Sequence, residues 1–119
     1  MSRRPAPSVL IIRPRLQLGA QASIGPGKIE LLRKIGATQS ISAAAREMEM
    51  TYKRAWMLVD TLNKGIGKPV VVSNRGGKGG GGAQLTPLGE ALIRCYDALE
   101  ARIRTVTGDE LTELKKLLG

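Results

Sequence analysis

The chain of 119 residues has no histidine, no phenylalanine, one cysteine, one tryptophan and two tyrosines. The shortage of cysteine and histidine removes whole classes of protein. A single Cys95 cannot form a disulfide framework within the chain, and without histidine or a second cysteine none of the usual zinc spacings can be assembled. The lack of histidine also removes the commonest acid–base group near neutral pH. The ten carboxylates fall mainly on the polar faces of prospective helices, so no catalytic constellation forms, and neither an enzyme nor a metal or other cofactor is expected. No apolar run approaches the ~20 residues that cross a bilayer. A reducing, cytoplasmic and nucleoid-associated setting is the expectation, with no membrane partner.

Positive charge is what the sequence has in excess. Nineteen Lys and Arg against ten Asp and Glu give a formal charge of +9, which favours a polyanion as partner, although an ordinary basic surface would share the balance. The charge is uneven: residues 1–78 hold fourteen basic and four acidic side chains (+10), and residues 79–119 hold five and six (−1). The front part is therefore expected to meet the polyanion and the back part to do something else, such as pairing two chains. Length and a hydrophobic content of 42% allow one modest core.

Residues 1–8, with Pro5 and Pro7, read as a flexible basic arm. From Val9 to Leu18 the pattern is extended, with Ile12, Leu16 and Leu18 alternating with Arg13 and Arg15, and Pro14 confining the strand to a sheet edge. Gly25-Pro26-Gly27 precedes a first helix carrying Ile29, Leu32 and Ile35, with Gly36 as its stop signal. Ile41, Ala44, Ala45 and Met48 form a second helical stripe capped by Ser40. After Glu49 to Thr51 the same spacing returns at Ala55, Leu58, Val59 and Leu62, with Thr51 as cap. Two short helices joined by a tight turn, with alanines that permit close approach, spell a helix-turn-helix; a plain helical hairpin is the alternative.

Val70-Val71-Val72 and Gln84-Leu85 read as two strands joined by a glycine-rich loop, the β-ribbon that a wing requires. Thr86-Pro87 opens a further helix, hydroxyl as cap and proline in the first turn. Along it Leu92, Tyr96, Leu99, Ile103 and Val106 recur in steps of four, three, four and three, a seam read as a homodimer contact, with packing on the domain's own core as the alternative. Asp109 begins a last helix with Leu111, Leu114 and Leu118 on its apolar face. The fold class is thus mainly α with a small β wing: a winged helix-turn-helix over residues 9–87 (helix-turn-helix about 40–64, wing about 69–86), followed by C-terminal dimerisation helices over 88–119.

On a helical wheel Lys53, Met57, Asp60 and Lys64 lie opposite the apolar face, and Tyr52, Lys53 and Arg54 occupy the first turn. In helix-turn-helix complexes that turn enters the major groove of double-stranded DNA, which makes Lys53 the leading contact, with Met57 and Lys64 on the same outward face expected to contact DNA as well. Trp56 either plugs the gap between this helix and the wing or lies against sugar and phosphate, and packing is the preferred reading. Arg75 and Lys78 combine cations with glycines suited to a phosphate backbone or a narrow minor groove. Lys78 is followed by glycine and a strand, not by Ser or Thr and a helix, so the loop is no P-loop.

The segment Gly36 to Leu62, with Ser40-Ile41-Ser42-Ala43-Ala44-Ala45 and Tyr52-Lys53-Arg54-Ala55-Trp56, resembles the DNA-binding half of ModE-type molybdate-responsive transcription regulators. Gly76 to Ala83, then Leu85-Thr86 and Gly89, resembles that family's wing and following helix. More distantly, the Ala-rich second helix and the Leu-Thr-Pro-x-Gly segment resemble LysR-type regulators. The resemblance implies a dimeric winged helix at an inverted-repeat operator, and carries DNA contact to Ser42, Thr51, Tyr52, Lys53, Arg54, Arg75 and Lys78. A stand-alone form is expected, since only a helical tail follows the DNA-binding unit, and sensing of molybdate or another oxyanion is not supported by the sequence. Glu49 stands where such turns commonly place glycine. A sequence-specific regulator is the leading reading, a nucleoid-type protein that binds any duplex the second, and an oxyanion-responsive module the third.

Overall fold

The computed structural model describes residues 10–20, 22–74 and 82–119. The expected arm at 1–8 and the wing-tip residues Arg75 and Lys78 lie outside the described residues. Among the described residues nine elements follow one another: β1 (Leu16–Leu18), β2 (Ala22–Ile24), α1 (Pro26–Thr38), α2 (Ile41–Glu47), α3 (Tyr52–Ile66), β3 (Val71–Asn74), β4 (Gly82–Leu85), α4 (Pro87–Val106) and α5 (Gly108–Leu118). Two antiparallel hairpins, β1–β2 and β3–β4, flank a three-helix core. The architecture is a winged helix: mostly helical, with β3–β4 as the small β wing.

The helix starts follow from local chemistry. Ser40 accepts from Ala43 N–H at 2.9 Å, Thr51 from Arg54 N–H at 3.1 Å and Thr86 from Gly89 N–H at 3.1 Å, each satisfying an amide that the helix itself leaves free. The α2 end is a Schellman motif, in which Met50 N–H reaches Ala45 O at 2.9 Å and Glu49 N–H reaches Arg46 O at 3.1 Å. That geometry forces the intervening residue left-handed, and Glu49 has φ 56°.

The first helix corrects the sequence expectation. Gly36 does not stop α1; the helix continues to Thr38 and closes on Gln39, left-handed at φ 57°. Gly36 instead permits contact, because a Cβ there would stand 2.8 Å from Leu85 Cδ1 on the wing. Leu31, outside the expected stripe, is also 1% exposed, since α1 is covered by α2 and α3 on one side and by β4 and α4 on another. Each fully buried leucine or isoleucine of α1 contributes on the order of 1.5–3 kcal/mol. The extended segment also differs from expectation: it pairs only at Leu16–Leu18, and its partner is β2, with Leu16 opposite Ile24 and Leu18 opposite Ala22.

Tyr96 departs from expectation as well. It was expected in the dimer seam, yet it is 4% exposed and its hydroxyl donates to Pro14 O at 2.7 Å, tying α4 to the N-terminal segment. Leu92 and Ile93 pack against the same core. The Arg33 guanidinium grips the Asp97 carboxylate through both terminal nitrogens, so α4 is also fixed to α1 by charge. Only beyond Tyr96 does the seam leave the core: Leu99 and Ile103 are half-buried and Val106 is exposed.

Candidate nucleic-acid interface

The small residues of α2 decide where α3 sits. Ala44 and Ala45 are 0% and 2% exposed and Ala55 is 0% exposed, so the two helices approach over methyl groups and no long side chain separates them. Val59 and Leu62 complete the buried face of α3. Lys53 and Met57 lie opposite that face, and Thr51 at the cap, Tyr52, Arg54 and Trp56 are exposed beside them at the start of the helix. Thr51, Lys53, Arg54 and Met57 line one shallow cleft together with Leu58 and Thr61. Four of the expected contact residues are thereby brought to one place. Ser42, exposed in the first turn of α2, presents its hydroxyl on the neighbouring helix.

One expectation changes, and a second residue gains a partner. Trp56 does not plug the gap between helix and wing; it is 46% exposed, because the buried stripe of α3 is filled by Ala55, Val59 and Leu62 and leaves no room for an indole. Lys64 points outward, yet its ammonium meets Asp60 at 2.9 Å, an i,i+4 pair that already balances its charge. It also lies eleven residues beyond Lys53, about 16 Å along the helix. Among the described residues Lys53 and Arg54 have no carboxylate within 4 Å. They are therefore cations available to an outside anion.

The wing is held in register with α3 by a residue the sequence reading passed over. Asn63 accepts from Val70 N–H at 2.8 Å and donates from Nδ2 to Val71 O at 3.3 Å, clamping the entry of β3 to α3. From the other side Ala83 N–H reaches Gln39 O at 3.1 Å, which ties β4 to the α1–α2 turn. Thr86 closes the base: its N–H bonds Val70 O at 3.0 Å and its hydroxyl bonds Pro69 O at 2.8 Å. Gly89 explains the rest of the Thr-Pro-x-Gly segment, because a Cβ there would stand 2.3 Å from Val70 O. The motif thus caps α4 and lets it lie on the wing's first strand. A polar face on α3 and a ribbon locked beside it are what major-groove insertion with a flanking backbone contact requires.

This arrangement is matched across residues 27–90 by the model of the bacterial regulatory helix-turn-helix proteins of the lysR family. The chain belongs to that family. Among curated relatives it is 51% identical over 82 residues to the molybdenum-pterin-binding protein MopB of Rhodobacter capsulatus, covering 69% of this chain and 30% of MopB. It is 38% identical over 98 residues to the DNA-binding transcriptional dual regulator ModE of Escherichia coli, covering 82% of this chain and 37% of ModE. These relatives bear out the ModE-type resemblance, and the chain spans about a third of their length. In fold it is similar to the DNA-binding domain of BenM, solved in complex with the benA site 1 DNA, at a TM-score of 0.51 and 14% identity over 71% of this chain and 89% of that one.

Among the described residues there is no group of three His, Cys, Asp or Glu that could hold a metal ion, and no helix long and apolar enough to cross a membrane.

Proposed function

We propose that this LysR-family chain acts as a DNA-binding transcription regulator that reads operator DNA as a homodimer. In this reading α3 enters the major groove, with Lys53, Arg54 and Met57 toward base edges and Thr51, Tyr52 and Ser42 toward phosphates, while Arg75 and Lys78 meet the backbone or the minor groove. The observation that carries it is the face of α3 itself: six neighbouring side chains, Thr51 to Arg54 with Trp56 and Met57, are exposed on a helix whose other face is fixed in the core. An exposed Trp, Tyr and Met on one short helix is surface that a partner covers.

The homodimer rests on the second half of the seam. Leu99, Ile103 and Val106 run beyond the core, and α5 continues with Leu114, Leu117 and Leu118 exposed at 46%, 77% and 60% and no buried residue of its own. A second copy would cover these side chains. Two copies would present two α3 helices, and half-sites one helical turn of DNA apart or a multiple of it are then expected.

Selection of bound duplexes from a random-sequence pool at physiological salt tests the reading. An enriched inverted repeat is the expected outcome. Retention of the pool without enrichment would overturn sequence reading and favour a nucleoid-type protein that binds any duplex.

A further inference from the structure

On the flank of α3 away from the wing lies a groove between the β1–β2 hairpin, the start of α1 and the α2–α3 turn. Arg15, Lys28 and Arg54 line it with Met48, Met50 and Leu58, and no carboxylate is among its walls. Arg54 and Leu58 belong also to the cleft on the recognition face, so the two surfaces are continuous. The cations are held in place. Lys28 Nζ donates to Ser23 O at 2.8 Å and Arg15 Nη1 to Ser23 Oγ at 3.4 Å, so one residue of β2 draws both heads together. Partial burial and the neighbouring Arg15 push the Lys28 ammonium below its ordinary pKa. Two like charges brought together with no carboxylate within 4 Å among the described residues make an unfavourable arrangement that an anion relieves.

We propose that Arg15 and Lys28, adjoining the base-facing Arg54, form a phosphate-contact site for the DNA backbone on the side of α3 opposite the wing. The inference rests on the DNA-binding reading and deepens it. At about 100° per residue, Asn63, which holds the wing, and Arg54, which enters this groove, fall about 180° apart around α3. A helix in the major groove has one phosphate backbone on each side, and the hairpin groove supplies a cationic flank to the one away from the wing. The contact positions the protein and carries no sequence information of its own.

The test is the salt dependence of binding to a selected duplex and to a mixed-sequence duplex. Each phosphate contact adds about 0.9 to the slope of log K against log salt, so Arg15→Gln with Lys28→Gln is expected to flatten the slope by about 1.8. From about 50 to about 200 mM salt the unsubstituted protein then loses about tenfold more affinity than the double variant, on both duplexes alike. Arg15→Lys with Lys28→Arg keeps the charges and is expected to keep the slope. Lys115→Gln with Lys116→Gln, the same charge loss on α5, is expected to leave it unchanged. Arg15→Gln alone, at an exposed side chain, carries half the effect should the double variant be unstable. A slope unaltered by the Arg15 and Lys28 changes, or altered equally by those on α5, overturns the site. Failure of the unsubstituted protein to bind either duplex overturns the DNA-binding reading and this site with it.

Discussion

Replacing Glu49 by glycine should stabilise the fold, although it removes a side chain and adds none. Glu49 sits at φ 56° because the Schellman closure of α2 requires a left-handed residue there. For a residue with a Cβ that conformation costs roughly 1–2 kcal/mol. Glycine relieves the cost but loses more freedom on folding, roughly 0.5–1 kcal/mol. The balance is a gain of about 0.5–1 kcal/mol, or about 2–4 °C in melting temperature for a domain of this size. Among the described residues Glu49 has no cation within 4 Å, so no ion pair is lost. Glu49→Ala is the control: it deletes the same carboxylate but keeps the Cβ, and should change stability by less than about 0.5 kcal/mol. Urea unfolding followed by circular dichroism measures both variants. A higher midpoint for glycine at unchanged slope supports the reasoning. If glycine does no better than alanine, backbone strain at Glu49 is refuted.

Other substitutions separate the fold from the site. Gly89→Ala should destabilise by about 3 kcal/mol, since its Cβ displaces the Val70 carbonyl and with it the bond from Thr86 N–H, and thermal melts read this directly. Thr51→Ala removes the cap of α3 and should cost about 1 kcal/mol in the same assay. Lys53→Ala with Arg54→Ala should erase discrimination between selected and random DNA while the melting temperature stays within about 2 °C, because both side chains are exposed. Asp97→Asn probes the link between α1 and α4. The hydrogen bond from Arg33 holds the Asp97 carboxyl below its ordinary pKa, so its contribution is present above the unfolded value and lost as pH falls through the folded one. Both partners are well exposed, so the cost near pH 7 should be no more than about 1 kcal/mol, and the two unfolding curves should converge in strong acid.

What the sequence revealed and what it concealed divide along a physical line. The helices of the helix-turn-helix and their caps were legible because they are local: Ser40, Thr51 and Thr86 bond amides three residues away, and the apolar stripes repeat within each segment. The strained turn was legible for the same reason, since Met48 to Met50 must close within six residues of Ala45. Where a residue answers to a distant neighbour, local rules misled. Gly36 carries the mark of a helix stop, but its lack of a side chain serves Leu85, forty-nine positions along the chain. Tyr96 has the spacing of a seam, but Pro14, eighty-two positions earlier, supplies its partner. A stripe fixes which face of a helix is apolar and leaves open what covers it. On α4 the answer is divided: the chain's own core takes the stripe as far as Tyr96, and the exposed residues beyond it await a second surface.

The candidate site shows the same division at a finer scale. The outward face of α3 was legible because a wheel needs only the helix's own residues, and Lys53, Arg54 and Met57 do face outward. Arg15 and Lys28 were not, since a strand and a helix separated by a hairpin bring them together only when both turn toward Ser23. Nor was Asn63, which looks like an ordinary polar residue on α3 until the first wing strand is laid beside it. The bonds to Asn63 and Gln39 tie the position of β3 and β4 to the core. A change at Asn63 should therefore weaken DNA binding through the wing while leaving every residue of the recognition face in place.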